Sequence, residues 1–166
     1  STDRTQEIAQ AFASRDARVR VVSLERNTGL SAARNTGWQN ASPNAKFIMN
    51  HDCDDLSLPT KLERLVKFLE MHPVIAAVGS FCRYIDQNGR ELGYPPMEWR
   101  PENIRRTFGE LNSMAISATL CRRNVYDSIA QFRPEYGGCD DYDFWARSLS
   151  AGFNLANIPH VLHYIR

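Results

Sequence analysis

Hydrophobic positions along this chain fall into short blocks that switch between the helical and the extended period. Ile8, Ala9 and Phe12, preceded by the small polar run Ser1-Thr2-Asp3, fit a capped amphipathic helix. Val19, Val21, Val22 and Leu24 make the segment Val19 to Leu24 rich in β-branched residues, so it reads as a strand. Asn27-Thr28-Gly29-Leu30-Ser31 breaks that pattern, and Ser31 is placed to cap a second helix that runs to about Asn40. Ala45 to Met49 follows as a short buried strand. Ser57 and Pro59 announce a third helix, with Leu62, Leu65, Val66 and Leu69 on one face and His72-Pro73 at its end.

Ile75 to Asp86 reads as a longer strand, and Asn88-Gly89 as a hairpin turn into Arg90 to Tyr94. Pro95-Pro96 through Pro101 is a loop, Glu102 to Phe108 a short helix, and Ser113 to Cys121 an apolar stretch of strand character. Asp140-Asp141 opens a helix that carries Phe144, Trp145 and Leu149 inward, with Gly152 as its stop. Phe153 to Ile158 is the last strand, and Pro159 starts an extended tail. Strands alternating with helices predict an α/β fold with a mostly parallel, Rossmann-like sheet, whose ligands sit at the carboxyl ends of strands.

Composition narrows this picture only slightly. The 166 residues, 43% hydrophobic and 23% charged, suffice for one globular domain with a sizeable core. Twenty Lys plus Arg balance nineteen Asp plus Glu, which leaves no global field to attract nucleic acid. Cys53, Cys82, Cys121 and Cys139 lie far apart, as expected of reduced thiols in a cytosolic setting. The longest apolar run, Val74 to Val78, is too short to span a bilayer. With no initiator Met at Ser1, the chain is expected to be a piece of a longer protein, in which any membrane segment lies outside it.

Chemistry concentrates in three places. Asn50-His51-Asp52-Cys53-Asp54-Asp55 sets three carboxylates in four positions at the end of a strand, and unpaired dry carboxylates are costly. If the chain stays extended there, Asp52 and Asp54 face the same way and could share one hard cation, Mg²⁺ or Mn²⁺, with phosphates completing its shell. The alternative is that the acids are only turn and N-cap residues of the next helix. A calcium loop is excluded because its Gly and its twelfth-position Glu are missing, and a phosphatase motif because Leu56 stands where its Thr belongs. The spacing of His51 and Cys53 matches no usual zinc set. Cys139-Asp140-Asp141-Tyr142-Asp143 follows the flexible Gly137-Gly138, and an aspartate there could act as a general base, or Asp140 could simply cap the helix with Asp141 and Asp143 solvated. Arg34 is the only cation in a small-residue segment and could hold a diphosphate or a base edge. The three tryptophans read as packing residues, and His51 and His163 carry no separate signal.

Three blocks, in order, resemble the inverting family-2 glycosyltransferases with the nucleotide-sugar-binding GT-A fold. They are Asn27-Thr28-Gly29-Leu30-Ser31-Ala32-Ala33-Arg34-Asn35-Thr36-Gly37, then Asp52-Cys53-Asp54-Asp55 with Pro59 and Leu62, then Asp140-Asp141-Tyr142-Asp143-Phe144-Trp145 with Arg147 and Gly152. The resemblance implies that Asp52-Cys53-Asp54 is the Asp-x-Asp motif, with Asp54 on the metal and Asp52 near the ribose or the metal's waters. It implies that Arg34, with Asn27 and Asn35, contacts the nucleotide, and that Asp141 is the catalytic base. Asp140 stands where the family usually has Glu. Residues 1–94 would form the nucleotide-sugar half and 95–166 the acceptor half of a single catalytic domain.

The implied partners are a nucleotide-sugar donor, a UDP-sugar first, and a glycan, lipid-linked or protein acceptor. The implied setting is bacterial surface-polysaccharide synthesis, cytoplasmic or at the inner face of the membrane. In the family two strands precede the segment seen here, with Ser1-Thr2-Asp3 resembling the end of the turn after them. A chain without those strands is expected to bind nucleotide weakly, and to offer an exposed sheet edge for self-association. A metal-dependent nucleotidyltransferase and an inactive sugar-binding scaffold are the competing readings.

Overall fold

The long strand expected from Ile75 onward is the spine of the computed structural model, which describes residues 3–166. In chain order the helices and strands are α1 (Thr5–Ala13), α2 (Leu30–Gln39), β1 (Phe47–Met49), β2 (Leu56–Ser57), α3 (Lys61–Met71), β3 (Ile75–Ile85), β4 (Glu91–Gly93), α4 (Pro101–Thr107), β5 (Leu120–Arg122), α5 (Arg123–Ile129), α6 (Asp140–Ser150) and β6 (Asn154–Ile165). The parts of the helix-start expectation that fall on Ser1 and Thr2 lie outside the described residues.

Adjacent residues in the central strands face opposite layers, as the strand period of two requires. Ala77, Cys121 and Leu155 turn to one side, where Ile104, Val125, Tyr126, Phe144 and Trp145 from α4, α5 and α6 cover them. Val78, Leu120 and Ala156 turn to the other, onto Leu65 and Leu69 of α3. The α/β layering is thus helix, sheet, helix. Leu62, expected on the buried face of α3, is 55% exposed, and Lys61 is buried in its place.

The sheet is mixed rather than mostly parallel. Its order is β1-β5-β3-β6-β2, with β4 pairing β3, and only β3 and β6 run parallel. β1 and β3 do point the same way, as a crossover through α3 demands, but β5 is inserted between them, antiparallel to both. The Asn88-Gly89 turn forms as expected, with Gly89 at φ 82° and the Asp86 carboxylate accepting the Asn88 and Arg90 N–H groups. Most of Ser113–Cys121 is not strand, because residues 116–118 close a 3₁₀ turn before β5. α5 was not foreseen.

Two further differences concern the ends. Val19 to Leu24 forms no strand, since no other strand lies beside it among the described residues, and Val19, Val22 and Leu24 stay exposed. High β propensity expresses fit to a pleated neighbour, not an intrinsic preference. β6 runs past Pro159 to Ile165. The register steps from Ser80 opposite Ile158 to Phe81 opposite Val161, so Pro159 sits in a bulge where its missing N–H is not needed.

Where β3 crosses β6 only glycine fits. A Cβ on Gly79 would stand 2.1 Å from Asn157 Oδ1 and 3.0 Å from Thr119 Oγ1. Asn157 cannot swing away freely, because its Nδ2 donates to Glu98 O at 2.7 Å and Ser113 O at 2.8 Å. Gly79→Ala should therefore destabilise the fold by about 1–3 kcal/mol. Urea unfolding would show a lower midpoint with an unchanged slope, whereas a wild-type midpoint would mean that Asn157 yields at no cost.

Candidate active site

β1 delivers the acidic cluster, and the cluster is a turn. Asn50 donates to the Tyr126 hydroxyl at 2.5 Å, which ties the end of β1 to the core. The Asp55 N–H then donates to Asp52 O at 3.2 Å, reversing the chain so that Leu56 and Ser57 can pair with Tyr164 and His163 of β6. The extended alternation expected to align Asp52 and Asp54 is therefore absent. Asp54 is exposed at the turn, Asp52 is half-buried, and Asp55 is buried. The acids do not cap α3, whose N-cap is Thr60.

The segment before α2 supplies the cation. Gly29 enters the helix at φ 84°, and its N–H is accepted by Asn27 Oδ1 at 3.0 Å. Gly29, not Ser31, is the N-cap. Ser31 is instead buried, with its hydroxyl donating to Asp140 Oδ2 at 2.8 Å. One turn on, Arg34 Nη1 donates to both oxygens of Asp140, at 3.0 and 3.1 Å, and Nη2 reaches Asp52 Oδ1 at 3.4 Å. The guanidinium side chain is 8% exposed and the Asp140 side chain 5%. One buried cation thus joins the acidic turn to the start of α6.

Asn35, expected at the nucleotide, is engaged elsewhere. Its Nδ2 donates to Phe132 O and its Oδ1 accepts the Phe132 N–H, both at 2.8 Å, so both ends of the amide hold the chain that leads to Gly137-Gly138. Asn27 lies in the exposed loop before α2, where it shapes the entry to the helix.

α6 then presents its acids in three different environments. Asp140 does not cap the helix, since its carboxylate is turned to Ser31 and Arg34. Asp143 is held by Arg133 and Arg147. Asp141 is half-buried, and its Oδ1 accepts the Tyr142 N–H at 2.7 Å. Burial raises its pKa above the usual carboxylate range, the Asp140 charge adds to the rise, and the Tyr142 N–H and Arg34 oppose it. The result is a stronger base.

The chemistry of this donor set suits a hard divalent cation. Among the described residues no three His, Cys, Asp or Glu side chains converge to cage a metal. Asp54 and Asp52 offer two hard carboxylates at an open turn, the number with which Mg²⁺-type ions are held when phosphate oxygens complete the shell. Sequence reading missed a second group nearby, the buried Lys61, Ser117 and His163 that surround Asp55. The one signal for it was Lys61 itself, a cation at a helix start, where the dipole disfavours it.

Comparison with known proteins gives one consistent picture. The family model described as glycosyl transferase family 2 matches residues 1–130. The Amylovoran biosynthesis glycosyltransferase AmsE of Erwinia amylovora is 28% identical over 148 residues, covering 88% of this chain and 53% of the relative. The crystal structure of S. aureus TarS 1-349 superposes with a TM-score of 0.78 at 21% identity, over 99% of this chain and 48% of that one. The mannosyltransferase PcManGT from Pyrobaculum calidifontis, in complex with GDP-Man and Mn²⁺, superposes at 0.68 with 18% identity, over 99% and 44%. The two structures show the fold, GT-A, and the chain spans about half the length of the curated relatives it matches.

Removing Arg34 leaves Asp140 buried without its cation, so Arg34→Met should destabilise the fold by about 3–5 kcal/mol, the range for breaking one side of a buried pair. Arg18→Ala, which breaks the exposed and solvent-screened pair with Asp16, should leave stability close to that of the wild type. Chemical denaturation of both variants checks the contrast, and equal small losses would show that the Arg34 pair is not dry.

Proposed function

The chain belongs to glycosyl transferase family 2, and from that premise we propose that it carries the donor site and base of an inverting transferase that uses a UDP-sugar and Mn²⁺ or Mg²⁺. The observation that supports the reading is the Arg34 bridge, which links Asp52, in the turn that bears Asp54, to Asp140, at the helix start that bears Asp141. The matches above are to glycosyltransferases, which argues against the nucleotidyltransferase alternative. A scaffold has no need of a carboxylate made more basic by burial, as Asp141 is.

In this reading Asp54, with Asp52, would hold the cation, which offsets the charge that builds on the departing nucleoside diphosphate. Asp141 accepts the proton of the acceptor hydroxyl as its oxygen attacks the sugar carbon from the face opposite the leaving group. One displacement inverts that carbon. Arg34 orders the acids by bridging Asp52 and Asp140. Residues 1–94 supply the donor side and residues 95–166 the base and acceptor side. The acceptor is a glycan, lipid-linked or protein hydroxyl of surface-polysaccharide synthesis at the cytoplasmic face of a membrane. No helix among the described residues is long and apolar enough to cross one, so attachment would come from segments outside this chain.

Calorimetry of the whole protein against nucleoside diphosphate sugars, with and without Mn²⁺, tests the reading. Asp54→Ala should lose the metal-dependent part of binding. Asp141→Asn should bind donor as the wild type does while transfer falls by about 10²-fold or more. Because Asp141 works as the carboxylate and its pKa is raised, wild-type transfer should fall with decreasing pH at a point above the usual carboxylate range. Undiminished transfer in Asp141→Asn would remove the base assignment.

A further inference from the structure

Asp55 stands beside the proposed metal acids yet faces away from them, into a buried polar cluster that the proposed chemistry does not use. Its Oδ2 accepts from the Ser117 hydroxyl at 2.7 Å and lies 2.9 Å from His163 Nε2, and its Oδ1 accepts the Arg166 N–H at 3.1 Å. Asp55 is thus an anchored carboxylate, three positions beyond Asp52 and one beyond Asp54.

Lys61 completes the cluster. Its Nζ lies 2.7 Å from Ser117 O, 3.0 Å from His163 Nδ1 and 3.2 Å from Ser57 Oγ. An ammonium has three N–H donors and no acceptor, so these three acceptors satisfy it fully. His163 Nδ1 must then be the acceptor, which puts the imidazole proton on Nε2, 2.9 Å from both Asp55 Oδ2 and the Ser117 hydroxyl oxygen. His163 is neutral in this arrangement, since a proton on Nδ1 would meet the ammonium head-on. The outer end of the chain closes the same way. His51 Nδ1 lies 2.7 Å from Asp52 O and donates to it, which leaves Nε2 to accept from the Ser57 hydroxyl at 3.0 Å. Both flanks of the turn are therefore tied to β2, α3 and β6.

We propose that Lys61, His163, Ser117 and Asp55 form a buried positioning unit for the acidic turn, in which Lys61 fixes the tautomer of His163 and Asp55 passes that constraint to Asp54. None of the four is a metal ligand. The role in metal binding rests on Asp54 holding the cation, as proposed above. Supporting groups of this kind typically contribute 10–100-fold in metal affinity. The turn itself is exposed at Cys53 and Asp54, so its placement depends on the anchored residues beside it.

Three measurements on the whole protein test this. Imidazole ¹⁵N spectra at pH 7 should show His163 protonated on Nε2 in the wild type, and a loss of that single tautomer in Lys61→Met. Without metal, alkylation by iodoacetamide should rise at Cys53 relative to Cys139, also exposed and outside the turn, in Lys61→Met and Ser117→Ala. With UDP present, Ser117→Ala should weaken Mn²⁺ binding 10–100-fold, and Ser117→Thr should restore it. Unchanged tautomer and unchanged thiol ratio would overturn the positioning unit. So would wild-type Mn²⁺ affinity in Ser117→Ala. If the wild type binds neither Mn²⁺ nor UDP, the transferase reading fails, while the tautomer and thiol ratio still decide the unit.

Discussion

A guanidinium held out of water between two carboxylates is the interaction on which the rest of the site depends. Arg34 comes from α2, Asp52 from the turn after β1, and Asp140 from the start of α6, segments more than 100 residues apart at their extremes. Without the cation, Asp140 would be a buried charge facing only the Ser31 hydroxyl, and Asp52 would be another carboxylate nearby. Pairing lets the fold bring acids close together, and Asp140 in turn raises the proton affinity of Asp141. The same contact is structural and chemical.

The acidic residues divide their tasks by burial. Asp55 and Asp140 are dry and fully bonded, and they hold other groups in place. Asp52 and Asp54 stand at an open turn, the one half-buried and the other exposed. Asp143 is neutralised by two arginines and keeps the helix start packed against the 131–136 segment. A run of acids that looks uniform in the sequence is thus sorted by what each carboxylate meets.

Much of the architecture was legible because its signals are local. β3, the Asn88-Gly89 turn, α3 and α6 follow from periodicity and turn chemistry that no distant contact overrides. The parallel sheet was misjudged because strand direction depends on β5, which enters between β1 and β3 after a long excursion. Val19–Leu24 has the composition of a strand, but composition cannot supply a neighbour. Within the site, the candidate residues could be named from three short blocks, whereas their wiring could not. Ser31 and Asn35 looked like a cap and a ligand, and each is engaged by a residue about 100 positions away. His163 lies in an apolar strand with nothing beside it in sequence to mark it. Its meaning depends on Lys61 and Asp55 arriving from other elements.

In the proposed function, the turn bearing Asp52 and Asp54 and the helix start bearing Asp141 line one site. Paramagnetic broadening by Mn²⁺ in the presence of UDP tests it most directly, because the effect falls steeply with distance from the ion. Amide signals of residues 52–55 and of Cys139, Asp140 and Asp141 should broaden together, while those of α1 remain sharp. Broadening confined to the acidic turn, with residues 139–141 untouched, would contradict it.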